Sequence, residues 1–159
     1  MGVTIRAAEA GDTAQIMAFI HALAAFEKMS DEVRSNAADI ARDLFGPAPR
    51  VFCDLAEADG QPVGFALWYY TYSTFAGAHG IYLEDLYVDE AQRGTGAGFA
   101  LMKRLARRCA EEGLGRLEWS VLDWNSVALD FYDRIGAVPP TGWLGRRLSG
   151  EALRKLGQG

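Results

Sequence analysis

"RGTGAG", residues 93–98, stands between "IYLEDLYVDEAQ" (81–92) and "FALMKRLARRCAEEG" (99–113). A run that reads as a strand ends there and a run with apolar residues at helical spacing begins, so a turn rich in glycine joins strand to helix. Glycines at 94, 96 and 98 clear side chains from the opening of that helix. The first amides of a helix have no carbonyl partner within it, and the helix dipole adds partial positive charge at the same end. A phosphate or pyrophosphate supplies the missing acceptors. A plain tight turn would use the same glycines. Spacing disfavours two other readings. A Walker A loop needs Lys and then Ser or Thr directly after its last glycine, whereas Gly98 is followed by Phe99. A dinucleotide fingerprint needs GxGxxG on the first strand of a parallel sheet, whereas GxGxG falls late in this chain, behind an antiparallel hairpin.

Working outward, "RVFCDLAEA" (50–58), a turn at "DGQP" and "VGFALWYYTY" (63–72) form that hairpin, and the loop "STFAGAHG" (73–80) leads to the strand "IYLEDLYV" (81–88). Further upstream, "VTIRAA" (3–8) reads as a strand. "GDTAQIMAFIHALAAFEK" (11–28) reads as a helix with Ile16, Phe19, Ile20, Leu23 and Phe26 on one stripe and Asp12 as a possible cap. "NAADIARDLFG" (36–46) is a shorter helix carrying Ile40 and Leu44, closed by Gly46 and by Pro47 and Pro49. Downstream of the glycines, residues 96–112 place Phe99, Met102, Leu105, Ala106 and Cys109 on one helix face. Lys103, Arg104, Arg107 and Arg108 lie on another, a face that is usually solvated, with one member available to a phosphate. "GRLEWSVL" (115–122) is a strand, and "NSVALDFYDRIG" (125–136) a helix capped by Asn125 and stopped by Gly136. "GWLGRRLS" (142–149) is a last strand before a tail helix "GEALRKL" (150–156). A hairpin section followed by a βαβ step predicts a mixed α/β fold, with helices on the faces of a mixed sheet.

The chain has 159 residues, half of them apolar, which suits one core and is short for two. No apolar run is long enough for a membrane span, and "MGVTIRAAEAGD" lacks the pattern of a secretory signal, so the expected setting is the cytoplasm. The formal charge of −5 argues against nonspecific attraction to nucleic acid or anionic membrane and is compatible with a cationic substrate. Cys53 and Cys109 lie far apart and form no CxxC, so reduced thiols are expected. His21 and His79 have no partners at metal-ligand spacing, and no metal is expected.

"RGTGAG" satisfies Arg/Gln-x-x-Gly-x-Gly/Ala. With "YLEDLYV" before it and "DWNSVALDFYDRIGA" after it, the chain from about residue 3 to about residue 148 resembles the GNAT acetyltransferases, nearest to the diamine type that acts on spermidine, spermine or thialysine. The resemblance implies a single domain over residues 3–156. It also implies a central, mixed, mostly antiparallel twisted sheet of roughly six to seven strands flanked by about four helices. Acetyl-CoA is the implied co-substrate. Arg93, Gly94, Thr95, Gly96, Ala97 and Gly98 would hold its pyrophosphate, Leu86, Tyr87 and Val88 would offer main-chain groups to its pantetheine arm, and Asn125 would contact it besides capping a helix. A homodimer is implied as well.

Acetyl transfer to an amine requires a base, because an ammonium has no lone pair. Alternation puts Ile81, Leu83, Asp85 and Tyr87 on one side of their strand and Tyr82, Glu84, Leu86 and Val88 on the other, so each side carries one acid among apolar neighbours. Desolvation there raises a carboxyl toward the useful range. By resemblance Glu84 removes the proton, through water, and Asp85 helps to hold the cationic substrate; a strand-edge acid in an ion pair is the plain alternative for each. Tyr132 shares a helix face with Ala128, Phe131 and Ile135 and is either a core tyrosine or, as the flanking "WN" and "GA" suggest by resemblance, the acid that protonates the departing thiolate. "AAFEKMS" resembles the family's substrate-gripping segment and places Glu27 toward the amine, with Phe26 where the polyamine enzymes have a tyrosine. Ser73 replaces an acid and Phe75 a tryptophan of those enzymes, which favours a shorter or amino-acid-like amine over long polyamines. Glu118 and Trp119 are further candidates for the pocket wall. The expected activity is acetyl transfer from acetyl-CoA to a small primary amine by direct attack in a ternary complex. Acetylation of a protein N-terminus or lysine, and a non-catalytic acyl-CoA sensor, are the alternatives.

Overall fold

The computed structural model describes residues 2–158, and the chain divides after Leu122 into two compact units. The larger holds a sheet of β1 (Val3–Ala7), β2 (Phe52–Ala58), β3 (Gln61–Ser73), β4 (Ala78–Val88) and β5 (Leu117–Trp119), in that spatial order. Neighbours are antiparallel through β4, and β5 runs parallel to β4, the mixed sheet that a hairpin followed by a βαβ step requires. Its helices are α1 (Thr13–Phe26), α2 (Ala37–Phe45) and α3 (Ala97–Glu112). The second unit holds α4 (Ser126–Arg134) and α5 (Gly150–Gly157).

Residues paired across a sheet share a face. On one face Cys53, Leu55, Phe65, Leu67 and Tyr87 meet Ile16, Met17 and Phe19 of α1 and Ile40 and Leu44 of α2. On the other, α3 lies against the sheet, with the Arg108 guanidinium 4.9 Å from the Trp68 ring. Each fully buried leucine or isoleucine here contributes about 1.5–3 kcal/mol relative to exposure, which makes these two faces the main source of stability for the larger unit.

The structure corrects five expectations. Five strands are present among the described residues, and 142–149 is not a strand. Gly142 sits at φ +80° and Gly145 offers no side chain to pack, so that stretch lacks what a ladder needs. The loop at 73–80 shrinks to a short turn, because β4 begins at Ala78. Asp12 does not cap α1. Its carboxylate accepts from the Glu9 N–H at 2.7 Å and from Arg6, whose hydrogen bond holds it below the usual carboxylate range. The buried side of α3 is Ala97, Leu101, Met102 and Leu105, while Phe99 and Ala106 are exposed and Arg104 and Arg108 are half-buried. Long arginine stems cover apolar surface, so the basic residues are not all on a solvated face.

The fifth correction concerns the strand that carries the acids. The β3–β4 register passes from Leu67↔Asp85 to Trp68↔Leu83, so Glu84 is an extra residue with no counterpart. This is a β-bulge, and it reverses the alternation beyond it. Ile81 and Leu83 lie on the α3 face with Trp68, whereas Asp85 and Tyr87 lie on the α1 face with Leu67 and Phe65. The single continuous side expected for 81, 83, 85 and 87 does not exist.

Candidate active site

After β4 the chain makes one turn of 3-10 helix at Glu90–Gln92 and enters the glycine segment. Gly94 has φ +82° and Gly96 φ +89°, conformations that side chains oppose. Thr95 ties the loop back, its hydroxyl donating to the Gln92 carbonyl at 2.6 Å. The Ala100 N–H reaches the Gly96 carbonyl at 2.9 Å, so the amides of Ala97, Gly98 and Phe99 precede the intrahelical ladder, the geometry in which a helix start can accept an anion. Gly98 has ordinary φ; a Cβ there would touch only Val88 Cγ2, at 3.8 Å. Arg93 donates through Nε to the Val88 carbonyl at 3.4 Å and places its guanidinium 4.6 Å from the centre of the Phe26 ring. Phe26, expected on the substrate side, therefore also braces the glycine loop.

β5 pairs with Ile81, Tyr82 and Leu83 only, so beyond the bulge the far edge of β4 has no strand partner among the described residues. The Asp89 N–H donates to Val63 at 2.8 Å, and the Tyr87 carbonyl lies 2.6 Å from where a Cβ on Gly64 would sit. Both point toward β3. Since main-chain groups alternate along a strand, Leu86 and Val88 present theirs to the open edge and Tyr87 does not. Of the three residues expected to offer main-chain groups, Tyr87 turns its own toward β3, and its ring lies 5.9 Å from that of Phe19.

On the α1 face, Asp85 has its carboxyl pushed up to about 6, first by burial and then by the charges of Glu84 and Glu27. Glu27, directly after α1, is also raised by burial. Glu84 is exposed at the bulge. Asp85 is thus the half-buried acid of β4 and Glu84 the exposed one, where the sequence set each among apolar neighbours. Tyr69 and Tyr82 stack 5.4 Å apart beside this pair, and the Tyr82 hydroxyl hydrogen-bonds Ser120 Oγ at 2.7 Å. Burial, and then Glu84, raise the Tyr69 hydroxyl. Glu118 stands next to Tyr82 in the parallel register and forms an ion pair with Arg116. Tyr82 and Ser120 were not among the sequence candidates. Their only signal was membership of strands already carrying acids.

In the second unit, the Asn125 side chain accepts from the Ala128 N–H at 3.2 Å, the expected cap. Tyr132 is half-buried, its ring 5.4 Å from Phe131, and its carbonyl accepts from the Ala137 N–H at 3.0 Å. Burial raises the thiols of Cys53 and Cys109, which disfavours the thiolate form that an acyl carrier needs.

The pattern of the Acetyltransferase (GNAT) family matches residues 16–137. The thialysine N-epsilon-acetyltransferase of Bos taurus is 41% identical, covering 97% of this chain and 96% of that protein. That of Caenorhabditis elegans is 38% identical over 89% of each. Among solved structures, an integron cassette protein from the mobile metagenome of V. cholerae superposes with a TM-score of 0.82 at 26% identity, over 100% of this chain and 99% of that one.

Proposed function

The chain belongs to the GNAT family of acetyltransferases, and from that premise we propose that it uses acetyl-CoA to acetylate a primary amine of a small, lysine-like or diamine substrate. The observation that carries this reading is the continuity of β4: acids at its bulge, open main-chain groups at Leu86 and Val88, then an anion-binding helix start. Those features fit a thioester carrier with a pyrophosphate, held by Arg93 to Gly98 and lying along the open edge. Acetyl-CoA supplies an activated acyl group. The chain's own residues orient it, a main-chain N–H of Leu86 polarises the thioester carbonyl, and an acid on β4 frees the amine. Glu27 and Asp85 attract the cationic acceptor, with Glu118 as a further wall. Tyr132 protonates the departing thiolate, and Asn125 joins its cap to a cofactor contact; both roles rest on the resemblance.

The names of the curated relatives support a thialysine-type acceptor, as does the loss of acid at Ser73. Residues 3–156 are read as one acetyltransferase domain because the family match runs across the division after Leu122. A homodimer in the cytoplasm completes the reading, both on resemblance. No described helix is long and apolar enough to cross a membrane.

Calorimetry with acetyl-CoA, followed by CoA release with thialysine, spermidine, lysine and a peptide, tests the proposal. Binding is expected, with free small amines preferred over the peptide. Tyr132→Phe is expected to lower kcat ~100-fold or more while acetyl-CoA affinity is retained. No uptake of acetyl-CoA would overturn the assignment, and equal loss of rate and affinity would make Tyr132 a packing residue.

A further inference from the structure

We propose that the hydrogen bond between Tyr82 and Ser120 is a pin that sets where β5 parts from β4, and that through it these two residues position the pantetheine arm of the cofactor. This rests on the acetyl-CoA reading above and assigns to it a pair of positioning residues.

β4 and β5 are held differently at their two ends. At the start, main chain meets main chain: the Gly115 N–H donates to the His79 carbonyl at 2.8 Å, and the Ile81 N–H to the Arg116 carbonyl at 2.9 Å. The approach is so close that a Cβ on Gly80 would lie 2.8 Å from the Arg116 carbonyl oxygen. At the far end the pairing stops at Leu83↔Trp119. The next residue of β4 is the bulged Glu84, and a bulge bends its strand. The next residue after β5 is Ser120. There the link passes from main chain to side chains, as the Tyr82 hydroxyl and Ser120 Oγ share a hydrogen bond of 2.7 Å.

Tyr82 is suited to hold a neighbour in place. Its ring stacks on that of Tyr69, its partner in the β3–β4 register, with centres 5.4 Å apart and planes 29° from parallel. Both tyrosines are half-buried, so the stack restricts the ring and fixes the height of its hydroxyl above the sheet. Ser120 is exposed, follows the last residue of β5 and has no apolar side chain with which to anchor itself by packing. The tyrosine supplies the restraint that the ladder no longer does.

Beyond this point β4 runs on with the main-chain groups of Leu86 and Val88 turned to its open edge. An acyl arm laid along Leu86 and Val88 toward the bulge ends beside the pin, because Glu84 and Ser120 each follow a member of the last β4–β5 pair. An arm with many rotatable bonds is costly to orient, and a fixed edge at its reacting end lowers that cost.

Calorimetry on the full chain with two ligands tests this. One is acetyl-CoA; the other is adenosine 3′-phosphate 5′-diphosphate, which carries the nucleotide and diphosphate of CoA without the pantetheine arm. Tyr82→Phe and Ser120→Ala are each expected to weaken acetyl-CoA binding ~3–10-fold and to leave binding of the nucleotide fragment within ~2-fold of wild type. The double variant should bind no more weakly than either single one, because both remove the same bond. Ser120→Thr, which keeps a hydroxyl, should retain wild-type affinity. Equal losses with both ligands, no loss with acetyl-CoA, or losses that add would overturn the proposal. Without any ligand, hydrogen exchange at the Ser120 and Val121 amides should be faster in Tyr82→Phe while β2 keeps its protection. Unchanged exchange at both amides would also overturn it. If wild type binds neither ligand, the acetyl-CoA reading fails and the arm-positioning role with it, while exchange still reads whether Tyr82 pins Ser120.

Discussion

Asp54 and Asp85 lie on opposite faces of one sheet, and both are raised by burial. Asp54, 2% exposed, has company that works against the cost: the Trp68 indole N–H donates to it at 3.1 Å, and Arg108 and Arg104 add opposing charge. Arg108 is itself held over Trp68 and bonded to Glu112, which accepts from the Tyr70 hydroxyl at 2.7 Å. Asp85 has the reverse. The charges of Glu84 and Glu27 add to its desolvation cost. The difference teaches how to tell an acid that serves the fold from one that serves a ligand: the first is matched within the chain, the second is left for a partner to match.

The contrast makes opposite predictions for stability. The folded-state pKa of Asp85 is raised from 3.8 to about 6, so the unfolded chain releases this proton at lower pH than the folded one. Well below pH 3.8 both states hold the proton and the contribution vanishes; stability then falls as pH rises from 3.8 to about 6 and stays lower above it. Removing the charge should relieve the penalty. Asp85→Asn is expected to be more stable than wild type by ~1–3 kcal/mol at pH 8, and by little at pH 4, in denaturant titrations. Asp54→Ala should instead lose about 1–3 kcal/mol, because it leaves the Trp68 indole buried without an acceptor. If Asp85→Asn is less stable at pH 8, the two acids are alike and the contrast is broken.

How these acids differ was only partly legible in the sequence. Periodicity gave the helices of the larger unit, the hairpin and the glycine-bearing join of β4 to α3, because those signals are local. Glu84 as an extra residue was not visible, because a bulge is defined by pairing with β3, and "YLEDLYV" alternates equally well without one. The same limit hid the Asp54 group: nothing in "FCDLA" shows that Asp54 will meet Trp68 and the flank of α3. For 142–149 the strand reading failed for want of a ladder, and the buried side of α3 was misjudged because arginine stems count as polar in a pattern. Glu27 was reached by resemblance, not by spacing.

The glycine loop sharpens the comparison at a second site, by separating two uses of glycine. Gly96→Ala, at φ +89°, should cost about 1–2 kcal/mol of stability and also weaken acetyl-CoA binding. Gly98→Ala, at ordinary φ with room at Val88, should be neutral or up to about 1 kcal/mol stabilising, yet still weaken binding by crowding the helix start. Denaturant titration and calorimetry on both variants would read the two effects apart. Equal stability loss in both would show that the loop needs glycine conformation throughout.

The smallest effect concerns the tie between the two halves of the site. Arg93 belongs to the glycine loop and Phe26 to the end of α1, next to Glu27, and their 4.6 Å contact joins the loop proposed to hold the cofactor to the helix end that carries Glu27. Cation–π contacts at partly exposed positions are worth about 0.5–1 kcal/mol, so Arg93→Ala and Phe26→Leu should each be mild in stability. Their coupling is the informative quantity. In a double-mutant cycle on acetyl-CoA affinity, a coupling of ~0.5 kcal/mol or more would show that Phe26 acts through Arg93 on the loop. Additivity within experimental error would instead separate them, leaving Phe26 to act on the amine alone, as the resemblance of "AAFEKMS" to a substrate-gripping segment implies.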